Sequence, residues 1–558
     1  MTRRLSALRV GNFKAFADTQ RIPIKPITLI FGPNSAGKSS FIHSLALAHE
    51  AQFGREKRSL ARLDVHHTDV GGSSIDLGGF RQYVHRGQLH KRVEWGADVR
   101  SSALGASIAT KLLPARMICY SITFGMELDD QDRPKPDAQP QIVAVDISDG
   151  KSELLHASRR PQGIYRIDRI NLEHPFFEAS IREIFQAYDP GPVEGESLFV
   201  EAGIKDIESA LPKMSLKLDR CLPSEVVTPD SWTLEGLDND APPDGVLLFI
   251  EQHLTPFIKT LSAAIASSLD SFQYLGPLRS YPARHLAFSD HDDRNWYAGG
   301  GYAWDVVRRE DVVREAVNGW LGSSKLKTPY KLVVRSLYAG SGLLPVLEEG
   351  LENIQSDGLD IEIEEHVDAP WMEPVGTLPI FKNLEEQAER LLGHIEGSDV
   401  DRIRELVLVD QRSNTAVTHR DVGIGISQVL PVLVMAYGSQ GKLLAMEQPE
   451  IHLHPALQAE LGDVFIEAAL GSRQNTFILE THSEHLILRL MRRMRETYQQ
   501  KETGLPPITP ADVSVLYVEP DGARSIIREM PLNELGELIK SWPGGFFEEG
   551  LREQLGDA

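Results

Sequence analysis

The sequence predicts an α/β fold with two lobes, a mixed β-sheet and an α/β core, together with an inserted, mainly helical region. Three observations indicate this class. A strand, a glycine-bearing turn and a helix follow one another near the start of the chain. Strands and helices alternate again after residue 406. Between these two regions, the pattern is largely helical, with acidic, proline-bearing joints.

The first lobe is predicted by a β-rich opening. Leu5–Phe13 and Ile22–Phe31 are rich in apolar and β-branched residues, which is typical of strands. A turn at Gly32–Gly37 follows, and Ser39–Glu50 then has apolar residues at helical spacing. Strand-like segments continue from Val93 to Val145.

The middle of the chain has mixed helical patterns and two acidic stretches. Residues 151–272, which end on a predicted helix over Leu248–Leu269, are interpreted as an inserted region for dimerisation or partner docking. Residues 340–400 contain a second acidic stretch, and such a run of charge is usually a solvated face.

A regular alternation of strands and helices predicts the second lobe. The predicted elements are strands at Leu406–Val409, Lys442–Met446 and Thr476–Leu479 and helices at Val429–Tyr437, Pro455–Leu470 and Glu484–Arg495. The predicted domains are the first lobe (1–150), the helical insert (151–272), a connecting segment with an acidic insertion (273–405), the second lobe (406–500) and a closing element (501–558).

The charge balance restricts the partners of the chain. With 58 basic and 80 acidic side chains, the 558 residues carry a formal net charge of −22. Nucleic acid is therefore not bound through bulk charge, and any contact needs a local basic patch. Arg489, Arg492 and Arg493 share one face of a predicted helix, but a face neutralised by nearby acids is the commoner meaning of this pattern.

Cysteine content and hydropathy indicate the compartment. The two cysteines, Cys119 and Cys221, exclude a disulfide scaffold or a cysteine-rich metal site and are typical of a reducing cytosol. No apolar run approaches the roughly 20 residues of a membrane helix, and the first residues lack the apolar stretch of a signal peptide. We therefore expect a cytoplasmic protein that does not contact a membrane.

A phosphate-binding loop is predicted where the opening strands lead into the first helix. Gly32–Ser39 matches G-x-x-x-x-G-K-[ST], whose glycines let successive backbone N–H groups point at phosphate oxygens. Lys38 would reach the β- and γ-phosphates, and the hydroxyl of Ser39 would ligate Mg²⁺. The predicted nucleotide-binding residues here are Gly32, Pro33, Asn34, Ser35, Ala36, Gly37, Lys38, Ser39 and Ser40.

A partner carboxylate is expected at the end of an apolar strand. Glu447 directly follows the apolar run Leu443–Met446 and would hold Mg²⁺, either directly or through water. Many buried strands end in an acid, so this prediction depends on the loop.

Four segments resemble the ABC-type ATPase heads of the SMC/RecF and OLD families. They are Ala7–Phe16 before the loop, Asp421–Pro431, Glu447–Pro455 and Glu480–Ser483. The resemblance implies an ABC-ATPase head with two lobes, ATP and Mg²⁺ as ligands, and a homodimer that encloses two nucleotides between its protomers.

The resemblance also implies roles for single residues. Ser427 and Gln428, in the signature segment, would contact the γ-phosphate bound by the opposite protomer, with Gly423 and Gly425 allowing close approach. His482 would be the switch histidine that hydrogen-bonds the γ-phosphate.

Two assignments stay open at this point. Gln82 would sense Mg²⁺ as a Q-loop residue, but an ordinary surface glutamine is equally compatible with its position. His452 and His454 have a spacing compatible with a metal pair, whereas the resemblance makes them D-loop residues.

The chain departs from the family pattern at Gln448. The family usually has a glutamate after the metal-binding acid, and that glutamate polarises the attacking water. A glutamine can orient water but cannot accept its proton at pH 7. Glu450 or His482 could compensate by accepting that proton instead. We therefore expect the catalytic set of Lys38, Glu447, Gln448 and His482 to hydrolyse ATP slowly and to prolong the ATP-bound state.

Two further segments narrow the resemblance. Tyr274–Pro282 and Trp542–Glu548 are similar to AAA-family, OLD-like ATPases of bacterial anti-phage operons, including Septu and retron-associated types. OLD nucleases carry a TOPRIM domain after the ATPase, and too few residues follow His482 for us to expect one here. The resemblance implies that ATP-dependent dimerisation, or a higher homo-oligomer, controls a separate effector such as an HNH-type nuclease or retron components.

Two other function classes remain open. A RecF/SMC-like ATPase would clamp DNA in repair or recombination, but such proteins carry long coiled-coil arms and the sequence has no heptad run of that length. The other class is a scaffold that binds nucleotide without hydrolysing it. Contact of the chain with nucleic acid, direct or through a partner, also stays open.

Overall fold

The computed structural model describes residues 4–54, 61–188, 196–229, 244–279, 295–322, 325, 327–338, 343–350, 384–397, 402–417 and 424–543. The chain divides into two compact units. The first unit comprises Met1–Tyr281, His291–Thr328 and Arg420–Ala558, and the second comprises Pro282–Asp290 and Pro329–His419. The predicted α/β class is confirmed, because strands and helices alternate through the first unit.

The larger sheet of the first unit has nine antiparallel strands in the order β12-β11-β10-β9-β8-β7-β6-β1-β2. Its strands are β1 (Leu5–Gly11), β2 (Gln20–Pro23), β6 (Val93–Arg100), β7 (Met117–Gly125), β8 (Gln141–Ser148), β9 (Glu153–Arg159), β10 (Tyr165–Ile170), β11 (Ser215–Asp219) and β12 (Leu222–Val227). A separate hairpin joins β4 (His67–Thr68) and β5 (Gly72–Asp76).

The second sheet of this unit carries the candidate site. Its order is β13-β17-β18-β3-β19-β20, and all neighbours are parallel except the last pair. The interior strands are almost entirely buried, as expected of a parallel sheet covered on both faces. The strands are β3 (Ile27–Phe31), β13 (Phe272–Leu275), β17 (Leu443–Glu447), β18 (Thr476–Glu480), β19 (Val513–Asp521) and β20 (Arg524–Glu529).

Helices connect and cover the strands. In chain order they are α1 (Lys38–Phe53), α2 (Phe80–Tyr83), α3 (Ala106–Lys111), α4 (Pro175–Tyr188), α5 (Glu196–Ala210), α6 (Asp244–Leu248), α7 (Thr255–Asp270), α8 (Tyr302–Arg309), α9 (Asp311–Leu321), α10 (Leu384–Gly397), α11 (Ile424–Gly438), α12 (Pro455–Leu470) and α13 (Glu484–Tyr498). A π-type turn, Phe249–Leu254, joins α6 to α7. Short 3₁₀ turns lie at His85–Gly87, Ser101–Leu104 and Leu211–Lys213.

Helix α1 is held inside the first unit. It contacts both β18 and α7, and the core it belongs to includes residues of both large sheets. Phe41 and Leu45, which the helical spacing assigns to the core, are fully buried. This burial fixes the start of α1, where the candidate loop ends.

The second unit contains a three-stranded antiparallel sheet with the order β14-β15-β16. Its strands are β14 (Tyr330–Tyr338), β15 (Arg402–Asp410) and β16 (Thr415–Val417), and α10 belongs to the same unit. The strand predicted at Leu406–Val409 is therefore part of β15 and lies in the second unit, not with α11 and β17 in the first.

Two predicted segments differ in detail from the structure. The strand-like run Ile22–Phe31, which the sequence breaks at Pro23 and Pro26, forms the end of β2 and the whole of β3, and these strands lie in different sheets. Helices predominate in residues 151–272, but β9 to β12 also lie there and extend the nine-stranded sheet. Most of the acidic stretch 340–400, Gly423, and the ends of two resemblance segments (280–282 and 544–548) lie outside the described residues.

The basic stripe on α13 is neutralised by acids of the first unit. Arg489 and Arg493 both donate to the buried carboxylate of Asp463, and Arg492 pairs with Glu496. The interpretation of this stripe as a neutralised helix face is confirmed. Within the described ranges, we find no helix whose length and apolar character would allow it to cross a membrane.

Candidate functional site

The candidate site lies at the carboxyl ends of three neighbouring parallel strands. Gly32 directly follows β3, Glu447 is the last residue of β17, and Glu480 is the last residue of β18. Glu447 and Glu480 are direct register partners, and Glu480 is opposite Ile30 of β3. Parallel pairing therefore brings two carboxylates and the loop to one edge of the sheet.

The loop requires glycine at two positions. Gly32 has a φ of 146°, and a Cβ there would lie 2.2 Å from the carbonyl oxygen of Val518. Gly37 has a φ of 91°, and its Cβ would lie 2.4 Å from the Cβ of Ala15. At these two positions the loop backbone is packed closely against β19 and the segment before β2, which leaves no room for a side chain there.

Lys38 is buried at the start of α1. Its Nζ donates to the carbonyl oxygens of Gly32 (3.2 Å) and Pro33 (3.0 Å) and lies 3.9 Å from Oε1 of Glu480. Burial lowers the pKa of Lys38, and the charges of Glu480 and Glu447 oppose this shift. The loop therefore presents a desolvated cation next to two acids.

The two carboxylates are buried and hydrogen-bonded. The hydroxyl of Ser39 donates to Oε2 of Glu480 at 2.7 Å, and the hydroxyl of Tyr274 donates to Oε1 of Glu447 at 3.0 Å. Burial, followed by the charge of Glu447, raises the pKa of Glu480 to about 7. Carboxylate and hydroxyl oxygens are the ligands that Mg²⁺ prefers, so this donor set fits the predicted cation.

A cavity of about 340 Å³ lies over the loop. Lys14 and His43 line it together with loop residues and Glu480, and Nζ of Lys14 is 2.5 Å from Nδ1 of His43. On its other side, Nε2 of His43 lies 3.6 Å from Oε1 of Glu447. Burial lowers the pKa of Lys14 to about 8 and also lowers the pKa of His43.

Gln448 and His482 lie at the same edge of the sheet. The N–H of Gln448 donates to the carbonyl oxygen of Glu480 at 2.7 Å, and the N–H of His482 donates to Oε1 of Glu450 at 2.7 Å. Burial lowers the pKa of His482, and the nearby charge of Lys38 lowers it further. The structure therefore brings both residues into the neighbourhood of Lys38 and Glu447, and their catalytic roles stay predictions.

The other predicted residues are not among the described residues that line the cavity over the loop. The side chains of Ser427 and Gln428, on α11, are buried inside their own chain. Gln82 is exposed on α2 and is not among the described residues that line the cavity. The contacts predicted for these three residues stay predictions.

His454 has a role that does not need a metal. It is the N-cap of α12, where its Nδ1 accepts from the backbone N–H of Ala456 at 3.3 Å. His452 precedes it with a φ of 63°, in a tight turn between β17 and α12. This local geometry supports the loop interpretation of the pair over a metal pair.

Sequence reasoning missed several residues of the site. Glu480 ends an apolar strand just as Glu447 does, and pairing those two strands in parallel would have identified it. Lys14, His43 and Tyr274 reach the site from three separate segments, and no local pattern marks such convergence.

Two segments of the chain match family models of AAA domains. Residues 7–113 match a model described as "AAA domain", and residues 241–489 match one described as "AAA domain, putative AbiEii toxin, Type IV TA system". A search of curated protein sequences returned no significant match.

Solved structures with weak similarity include Smc head domains. One is the SmcHead bound to the C-winged helix domain of ScpA, with 9% identity, 95% of this chain and 98% of that chain covered, and a TM-score of 0.33. Another is the SMC head domain from Thermotoga maritima, with 11% identity, 95% and 99% covered, and a TM-score of 0.29. A third is the Smc head domain with an extended coiled coil bound to the C-terminal domain of ScpA derived from Pyrococcus furiosus, with 8% identity, 94% and 96% covered, and a TM-score of 0.33.

The close packing of the loop gives the first testable prediction. We expect Gly32→Ala to lower the free energy of unfolding by at least about 2 kcal/mol, because an alanine there has an unfavourable φ and collides with a backbone oxygen. Gly522→Ala is the matched control, because Gly522 also has a positive φ (62°) but no atom within 4 Å of its Cβ position. Its expected effect is about 1 kcal/mol. Equal stability of the two variants in urea unfolding would contradict the geometry described for the loop.

Proposed function

We propose that this protein binds Mg·ATP at Gly32–Ser39 and hydrolyses it slowly. The observation that carries the proposal is the convergence of Lys38, Ser39, Glu447 and Glu480 at one edge of a parallel sheet, next to a loop that requires glycine at positions 32 and 37. The AAA-type domains that span the same segments support an ATPase.

Each residue of this group has a distinct task. The backbone N–H groups of the loop and the start of α1 would bind phosphate oxygens, and Lys38 would contribute a positive charge to them. Ser39 and Glu447 would hold Mg²⁺, with Glu480 as a further acidic neighbour of the hydroxyl. When bound, Mg²⁺ supplies neutralisation of the phosphate charge.

Slow turnover follows from the identity of residue 448. Gln448 is placed after Glu447 and can orient a water through its side-chain amide, but it cannot take up the proton of that water. Glu450 lies two residues further on and is buried; burial raises its pKa, and a hydrogen bond from His482 acts in the opposite direction. We propose that the protein therefore spends most of its cycle with ATP bound.

We propose further that two protomers enclose the nucleotides, as the ABC-type resemblance implies. The burial of Ser427 and Gln428 in their own chain means that a contact with the opposite nucleotide would use the backbone at the start of α11. The resemblance to anti-phage ATPases supports a role in which this ATP-dependent dimer controls a separate effector, for example a nuclease. This role is tested by the genes that adjoin the coding sequence, because it predicts that one of them encodes such an effector.

The central test is the removal of the loop lysine. We expect Lys38→Ala to reduce ATP hydrolysis at least about 100-fold, because the transferred phosphate loses a desolvated positive charge. Phosphate release with Mg²⁺ measures turnover, and sedimentation velocity with and without ATP measures dimerisation. Lys217→Ala is the control, since Lys217 is an exposed residue that pairs with Glu225. Hydrolysis that is equal in the wild type, Lys38→Ala and Lys217→Ala would contradict the proposal.

A second test concerns the missing general base. We expect Gln448→Glu to hydrolyse ATP at least about tenfold faster than the wild type, because a carboxylate can accept the proton of the attacking water. Gln474→Glu is a matched control, because Gln474 also has a positive φ (54°) but follows α12 on the surface. A Gln448→Glu variant that is no faster than the wild type would show that Gln448 does not limit turnover.

A further inference from the structure

A buried arginine joins three segments around the site. Arg279 follows β13, and only 6% of it is exposed. Its guanidinium donates to the backbone oxygens of Gln428 (2.9 Å), Glu447 (3.1 Å) and Gln448 (3.0 Å). In return, the side-chain amide of Gln428 donates to the carbonyl oxygen of Arg279 at 3.2 Å. One side chain therefore connects the N-terminal part of α11 with the end of β17.

The backbone of Gln448 is held against its local preference. Its φ of 47° is in the left-handed region, which costs a residue other than glycine about 1 kcal/mol or more. Three hydrogen bonds fix it there: its N–H donates to the carbonyl oxygen of Glu480 (2.7 Å), and its own carbonyl oxygen accepts from the N–H of Ile451 (3.1 Å) and from Arg279 (3.0 Å). Arg279 supplies the one bond of these three that links Gln448 to α11.

The charge of Arg279 is costly to keep in this position. Burial lowers the pKa of Arg279 to about 10, and the negative charge of Glu450 opposes this shift. Nε of Arg279 and Oε2 of Glu450 are both buried and lack a hydrogen-bond partner among the described residues. Stability alone does not require a buried ion at this place, since buried charges often contribute little net free energy.

We infer that Arg279 is a positioning residue: its guanidinium fixes Gln448 beside Glu447 and couples both to α11. The inference rests on the proposed function, because the residue it positions is the one that would orient the attacking water. Arg279 acts through the backbone of its neighbours and is not itself a catalytic residue. Its effect is therefore expected on the rate of the chemical step and not on the affinity for nucleotide.

The test is Arg279→Lys, which keeps the positive charge but loses the planar fork that reaches three carbonyl oxygens. We expect kcat to fall at least about tenfold, because Gln448 loses one of the three hydrogen bonds that hold its backbone, the one that links it to α11. We expect KM for Mg·ATP to change less than about threefold, because the loop Gly32–Ser39 is fixed by other residues. Phosphate release at varied ATP concentration gives both constants.

Arg489→Lys is the control for the loss of a buried arginine. Arg489 is also largely buried, but it donates to the carboxylates of Asp463 (2.7 Å) and Glu460 (2.8 Å) on α12. We expect this variant to unfold more easily while its kcat per folded molecule stays within about twofold of the wild type. If Arg279 had only a structural role, Arg279→Lys would also unfold more easily and keep its kcat per folded molecule within about twofold of the wild type.

A double-mutant cycle shows whether Arg279 acts through Gln448. In a Gln448→Ala background, we expect Arg279→Lys to change kcat less than about threefold, because the residue it positions has been removed. The inference is overturned if the full tenfold loss persists in that background, or if Arg279→Lys matches the wild type. Should Arg279→Lys not fold, Arg279→Gln takes its place in the same cycle. A wild type that does not hydrolyse ATP would instead overturn the proposed function, and the inference with it.

Discussion

The site depends on two carboxylates that parallel pairing forces together inside the protein. Glu447 and Glu480 end adjacent strands in direct register, and both are buried. Two like charges in such a place repel each other, which is one reason why the pKa of Glu480 rises to about 7, after the larger effect of burial. Lys38 and Ser39, at the start of α1, offset part of this charge. A divalent cation with a nucleotide would offset the rest, so the electrostatics of the sheet edge favour the proposed ligand.

The rest of the first unit keeps this edge in place. Helix α1 is buried by both large sheets, so the end of the loop cannot shift without disturbing the core. Tyr274 reaches Glu447 from β13, and Arg279 ties the end of β17 to α11. The residue that would orient water is thus connected through hydrogen bonds to the helix that the dimer hypothesis places next to a second protomer. This connection gives a physical route by which closure of a dimer and turnover would depend on each other.

Local patterns in the sequence predicted much of this arrangement, and long-range pairing accounts for what they missed. A motif predicts the loop, and apolar periodicity predicts α1 and the strand that ends in Glu447. Motif and periodicity are local signals, since each involves only residues that are neighbours in the sequence. Glu480 required knowledge that β18 pairs in parallel between β17 and β3. Strands β9 to β12 were missed because short antiparallel strands have one polar face, although the alternation in Ser215–Asp219 is a readable signal. The burial of Ser427 could not be read from its motif, since burial depends on what packs against α11.

Mn²⁺ in place of Mg²⁺ can show whether the paired carboxylates form a nucleotide-linked cation site, because its electron paramagnetic resonance signal reports the bound ion itself. With ATP present, we expect one bound Mn²⁺ per chain in the wild type and an affinity at least about tenfold weaker in Glu447→Gln, which lacks the charged ligand. An equal affinity in the two proteins, or no ATP-dependent Mn²⁺ binding to the wild type, would show that the paired carboxylates do not form a nucleotide-linked cation site.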